Sequence, residues 1–313
     1  MQALRPEPVL GVSLQGISLL RLDQSADLAP GNKRYKLEGY LAQARHQGVK
    51  RLLSFGGAWS NHLHALAAVG ADQGFETVGL VRGEAHELNS PTLQDARRWG
   101  MRIVAVDRSQ FRWRNDPLFQ QQLATQYSPC LLIPEGGAGA CGVRGCVAIA
   151  DTIRSCGRGA RHIVVPVGTG TTMAGVVAGL DDTFEVLGIA CMKGVLDLED
   201  RVAGLLDVMG PRNHARWRID HTHHCGGFAR VNPSLRAFML DFEAVQDVPL
   251  DPVYTGKMML AVHAACERGE HRGRSTTLAI HTGGLQGRRG YDWLGGMGSV
   301  SYTHLTLPTK RIV

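Results

Sequence analysis

From about residue 36 to residue 281 the chain alternates between short apolar runs and amphipathic stretches, and this alternation narrows its possible folds more than any other feature. Leu37, Tyr40, Leu41 and Ala44 fall at helical spacing, and the pattern stops at Gly48. Residues 49–55 read as a strand running into Gly56-Gly57, and 61–73 as a helix capped by Ser60 or Asn61. A strand at 76–81 precedes a helix opened by Ser90-Pro91, where proline suits the first helical position. Strands at 101–107 and 130–134 flank a helix at 116–127, and a helix near 143–156 follows. The strand at 162–167 runs into Gly168, the helix at 171–180 leads to a strand at 185–190, and helices are expected at about 198–209, 234–245 and 255–268. A last strand is expected at 275–281. Repeated strand–helix units predict an α/β protein with mostly parallel sheets and helices on both faces. A length of 313 residues points to two domains.

Composition excludes several function classes. The formal charge of +6 is spread along the chain without a long basic run, so no nucleic-acid partner is expected. Trp113 between Arg112 and Arg114 reads as a surface loop rather than a base-stacking platform. No stretch approaches the apolar length of a membrane span, and no signal peptide is evident at the N-terminus. The seven cysteines lack framework spacing and read as reduced thiols, so a cytoplasmic protein is expected. The run His221-Thr222-His223-His224-Cys225 reads as a polar loop, because adjacent histidines rarely all reach one ion; no metal is expected.

Three strings carry the chemistry. The first is Gly31-Asn32-Lys33, just before a helix, with Lys36 following; alone, it is an ordinary helix start. The second is Ser54-Phe55-Gly56-Gly57-Ala58-Trp59-Ser60-Asn61-His62: a strand, a glycine pair for close backbone approach, then polar residues at a helix N-terminus. The free amides there suit a carboxylate, and an asparagine side chain can donate to a phenolate-type oxygen. The third is the turn Gly168-Thr169-Gly170-Thr171-Thr172 between a buried strand and a helix, where amides and hydroxyls converge on an anion such as phosphate. Met173 occupies the third-glycine place of a dinucleotide fingerprint, and a nicotinamide enzyme would leave the first two strings unexplained.

Together these strings, with 250–257 (LDPVYTGK) and 280–285 (IHTGGL), resemble the fold type II pyridoxal 5′-phosphate (PLP) enzymes of the 1-aminocyclopropane-1-carboxylate (ACC) deaminase/D-cysteine desulfhydrase family, over about residues 20–290. The resemblance implies PLP as cofactor, a small amino acid as substrate and a homodimer. It implies a large domain from 1–35 and 146–290 with 36–145 inserted as a smaller one; residues 291–313 form an atypical tail, disordered or foreign to the fold. By the same resemblance Lys33 carries the Schiff base and moves the α-proton, and Asn61 binds the pyridine O3′. Ser60, Asn61 and His62 hold the substrate, Gly168 to Thr172 hold the phosphate, and Tyr254 stands over the substrate as an acid/base or nucleophilic group. Thr282 or Thr255 is expected beside the pyridine nitrogen.

Two departures narrow the chemistry. ACC deaminases follow the DPVY tyrosine with glutamate, which keeps the ring nitrogen protonated; this chain has Thr255. A second family tyrosine is expected where Phe228 stands without a phenol. Both favour β-elimination from D-cysteine over cyclopropane opening, with ACC deamination and a non-catalytic PLP-binding protein as the alternatives.

Overall fold

The structure, a computed structural model, describes residues 1–156, 159–210, 213–270 and 276–294. Strands β1 (Gln2–Ala3) and β2 (Ile17–Arg21) lead into helix α1 (Asn32–His46). A first run of strand–helix units follows: β3 (Arg51–Gly56), α2 (Asn61–Gln73), β4 (Glu76–Arg82), α3 (Pro91–Arg98), β5 (Arg102–Val106), the single turn α4 (Arg108–Phe111), α5 (Pro117–Gln126) and β6 (Leu131–Ile133). Helix α6 (Ala140–Cys156) connects to the second run, β7 (His162–Val167), α7 (Thr171–Gly179), β8 (Glu185–Ala190), α8 (Leu198–Asp207) and β9 (Arg216–Asp220). Helices α9 (Pro233–Gln246) and α10 (Thr255–Glu267) precede β10 (Thr277–His281).

The strands form two sheets. A six-stranded sheet has the order β1-β2-β10-β7-β8-β9, parallel except for β1, and a four-stranded, wholly parallel sheet has the order β5-β4-β3-β6. The central strands β7, β8 and β10 of the six-stranded sheet are apolar on both faces because both faces are covered. In β7, Ile163, Val165 and Val167 pack beneath α6, α7 and α8, whereas Val164 joins the core beneath α9 and α10. In β10, Leu278 and Ile280 face the first group and Ala279 the second. The four-stranded sheet divides likewise, Leu52 facing α1, α2 and α3 and Leu53 with Phe55 facing Phe111, Leu123 and Tyr127.

Glycines set how closely the helices approach. A Cβ on Gly145 of α6 would lie 1.9 Å from the Tyr35 carbonyl oxygen of α1, and one on Gly39 of α1 would lie 2.2 Å from the Cys141 carbonyl oxygen of α6. Gly175 of α7 meets the Cys146 Cβ of α6 in the same way, at 2.3 Å. Helices α1, α6 and α7 therefore touch nearly backbone to backbone.

The fold is the expected α/β arrangement of largely parallel sheets, with four differences from the sequence reading. Helix α1 begins at Asn32, ahead of the apolar period that starts at Leu37, because Gly31 takes φ 125° as its N-cap and the Asn32 amide donates to the Thr282 carbonyl (3.1 Å). Lys33 is therefore inside the first turn and not before it. The division points expected at 35/36 and 145/146 fall within α1 and α6. The atypical tail also begins later than 291, since Tyr291 and Trp293 pack against the core and Leu294 is buried in it; residues 295–313 lie outside the described residues. Strands β2 and β9 had no counterpart in the sequence reading.

Candidate active site

The carboxyl ends of β3, β6, β7 and β10 and the first turns of α1, α2, α7 and α10 surround one cavity of about 660 Å³. This is where parallel strands and helix N-termini direct unpaired amides. It is lined by Lys33, Ser60, Asn61, His62, Gly168, Thr169, Gly170, Thr172, Tyr254 and Thr282. Two expected residues are placed elsewhere. Thr171 is fully buried beneath the turn, its Oγ1 3.1 Å from the Thr169 Oγ1. Thr255 is also fully buried, its hydroxyl directed at the Asp251 carboxylate (2.9 Å), so of the two threonines expected beside a ring nitrogen only Thr282 reaches the cavity.

The start of α1 puts Lys33 and Lys36 one turn apart on the cavity side. The Lys33 Nζ sits 3.3 Å from the Asn32 Oδ1, and burial lowers its pKa from the ordinary lysine value. The Lys36 Nζ donates to the Gly136 carbonyl (3.2 Å) and the Thr169 hydroxyl (3.3 Å). Burial, aided by the charge on Lys33, brings its pKa down to about 7. An amine at the N-terminus of α7 completes the glycine–threonine turn as an anion site. The sequence reading missed Lys36, although its spacing from Lys33 was the available signal. The Asn32 side-chain Nδ2 donates to the Thr172 Oγ1 (2.8 Å), locking the first turns of α1 and α7 together.

At α2, Ser60 is the N-cap, its Oγ accepting the Leu63 amide at 3.2 Å. A Cβ on Gly56 would lie 2.6 Å from this Oγ, which accounts for one member of the glycine pair. Behind the cap, His62 is buried, its Nε2 2.8 Å from the Ser54 Oγ. The Ser54 hydroxyl also lies 2.8 Å from the Ile133 carbonyl, an acceptor only, so it donates there and accepts from the His62 Nε2–H. Burial, followed by the Lys33 and Lys36 charges, lowers the His62 pKa to about 3. The ring is neutral and its buried Nδ1 has no partner among the described residues.

The opposite wall carries Tyr254. A Cβ on Gly168 would lie 3.1 Å from its ring, so any side chain in the turn would press the ring aside by a few tenths of an ångström. Burial raises the Tyr254 pKa well above the phenol range and keeps its proton on at neutral pH. Phe228 meets it edge-on, with ring centroids 6.2 Å apart. The buried amine of Lys257 fixes the backbone beside Phe228 by donating to the Gly227 (2.7 Å) and Cys191 (3.0 Å) carbonyls. Asp251, the buried carboxylate on this wall, accepts from the Val253, Tyr254 and Thr255 amides and the Thr255 hydroxyl, so both its oxygens are engaged. The histidine-rich loop is no part of the site: His221 faces Glu199 and His223 faces Asp220, each at 2.8 Å.

The residues present fit PLP. Lys33 supplies an amine with a depressed pKa, and the α7 N-terminus with Lys36 supplies an anion site. Asn61 and Thr282 offer polar groups along the cavity wall. The family model described as "Pyridoxal-phosphate dependent enzyme" matches residues 24–283. The D-cysteine desulfhydrase of Klebsiella pneumoniae (strain 342) is 28% identical over 282 residues, covering 85% of this chain and 86% of that protein. The D-cysteine desulfhydrase of Salmonella typhi is 28% identical over 273 residues, 81% of this chain and 82% of its own. A solved structure described as an ACC deaminase homologue superposes with a TM-score of 0.76 at 23% identity, covering 89% of this chain and 86% of that one. Threonine deaminase isoform 2 from Solanum lycopersicum gives 0.61 at 14% identity, over 94% and 84%.

Proposed function

The chain belongs to the pyridoxal-phosphate-dependent enzymes, and from that premise we propose that it eliminates a β-substituent from a small amino acid, with D-cysteine as substrate and sulfide, pyruvate and ammonia as products. The observation that carries this reading is that the polar side chain offered to the ring from β10 is a threonine hydroxyl, Thr282, while the carboxylate on the same wall, Asp251, has both oxygens engaged. A neutral partner leaves the ring a weaker electron sink, which suffices for a good leaving group such as a thiol. The two desulfhydrase relatives support the same choice.

The bound cofactor supplies a site of attachment for the substrate amine and a conjugated ring that takes up the electron pair left when the α-proton departs. The remaining chemistry falls to the chain's own residues. Lys33 holds the cofactor and then takes the α-proton on Nζ, a role that its lowered pKa favours. Lys36, Thr169, Thr172 and the amides that open α7 hold the phosphate, and Asn61 donates to O3′. Ser60 and the neighbouring amides of α2 hold the substrate carboxylate, with His62 behind them. Tyr254, protonated at neutral pH, donates its hydroxyl proton to the departing sulfur. As the C–S bond breaks, its electron pair leaves with sulfur. Water then completes the balance, one D-cysteine and one water giving one each of pyruvate, sulfide and ammonia.

The test is keto-acid and sulfide release by cofactor-loaded protein from a panel of D- and L-amino acids and ACC. Sulfide from D-cysteine is expected. Appearance of 2-oxobutyrate from ACC without sulfide from D-cysteine overturns the substrate. No product from any compound, with no α-proton exchange in deuterated water, overturns catalysis in favour of a PLP-binding protein.

A further inference from the structure

Beyond Thr282 the chain makes a short 3₁₀ segment, Leu285–Gly290, that closes one side of the cavity. Consecutive arginines root it at both sides. Arg288 pairs with the buried Glu243 of α9 (2.9 Å) and donates to the Leu250 carbonyl, on the six-stranded-sheet side. Arg289 pairs with Asp95 of α3, beside the four-stranded sheet. Between these anchors and the cavity, the Gln286 Nε2 donates to the Asn61 Oδ1 (2.5 Å).

An asparagine amide has an accepting end and a donating end. Gln286 engages the accepting end, with Gly287 beside it: a Cβ there would lie 3.6 Å from the Asn61 Oδ1. The donating end lies over Gly284, where a Cβ would come within 2.6 Å of the Nδ2 and displace it. Gly284 also has φ 89°, a backbone conformation that disfavours other residues. The NH₂ is thereby left for the cavity. We infer that Gln286 is a positioning residue that fixes the Asn61 amide with its NH₂ presented as a donor to an anionic oxygen of the cofactor. The inference rests on the reading that Asn61 faces O3′, and it adds the group that decides which end of Asn61 does so. Without Gln286 the amide is free to turn, and its oxygen would then oppose an anion.

The test is a double-mutant cycle on the cofactor-loaded protein. The readouts are the cofactor dissociation constant and the pH midpoint and maximum of the visible band of the lysine-bound cofactor. Asn61→Ala and Gln286→Leu are each expected to weaken cofactor binding about tenfold, the loss of roughly one charge-assisted hydrogen bond, and to move the band midpoint. Gln286→Glu, of the same shape but able only to accept, is expected to act in the same direction and more strongly; it carries the test if the leucine variant does not fold. In the Asn61→Ala background neither change at 286 should alter the band further. Equal effects of the 286 variants with and without Asn61 overturn the inference alone. An Asn61→Ala protein with wild-type affinity and spectrum overturns the reading of Asn61 and the inference with it.

Discussion

Two lysines one helical turn apart share one cavity, and burial, aided by the Lys33 charge, sets how Lys36 titrates. Lys36 titrates near 7 in the folded chain and at the ordinary 10.5 when unfolded, so between these values the unfolded chain binds more protons. Stability of the cofactor-free protein should therefore rise as pH climbs from about 7 toward 10, by an amount on the order of a few kcal/mol. Lys36→Met should reduce that rise, leaving the part due to Lys33, whose pKa burial also lowers, as read by thermal unfolding at a series of pH values. Anion binding runs the other way: a phosphate in the α7 turn needs the charged amine, so cofactor affinity should fall as pH rises above 7, by up to about tenfold per pH unit. An affinity independent of pH from 7 to 9 in wild type would remove Lys36 from the phosphate site. Lys33→Ala should abolish the visible band of lysine-bound cofactor, and a band that persists would sink Lys33 as the attachment point.

At the scale of elements, the crossing of α1 and α6 depends on residues with no side chain. Gly145→Leu would drive a branched side chain into the Tyr35 carbonyl, 1.9 Å from the first added carbon, and is expected to destabilise the fold by about 3 kcal/mol or more, as seen by denaturant unfolding. Gly168→Ala is milder, since the added methyl meets only the Tyr254 ring, at 3.1 Å. It should leave stability within about 1 kcal/mol yet lower turnover, because the tyrosine must shift. Equal stability losses in the two variants would contradict this contrast. Element recognition from sequence succeeded where periodicity was strong: the strands His162–Val167 and Glu185–Ala190 and the helix Asn61–Gln73 have their expected limits. It failed where the apolar signal was short. Strand β2 (Ile17–Arg21) is one five-residue run in a stretch without α-helices, and β9 (Arg216–Asp220) only half-buries Trp217 and Ile219 between charged neighbours. Their pairing with β10 and β8 makes them strands, and that is a non-local cause.

Across the whole molecule, the segment Leu285–Gly290 joins the two sheets' surroundings through Arg288 and Arg289. Burial acts against the Asp95 charge, but Arg289, Arg98 and His64 together hold its carboxyl below the usual range. Asp95→Asn should therefore loosen the segment, lower stability by about 1–2 kcal/mol and speed proteolysis near residue 288. Arg98→Gln is the control: its side chain is 72% exposed, and its loss should change little. If the two variants behave alike, the link through Arg289 contributes nothing. The sequence by itself determined the α/β class, the family and most of the residues around the cavity, because glycine turns, helix starts and apolar periods are local properties. Only the tertiary structure decided that Thr282 faces the cavity, that Lys36 reaches the turn that opens α7, and that Gln286 reaches Asn61. Each of these depends on which strand end and which helix end meet across the cleft, and residues 225 positions apart carry no local record of that meeting.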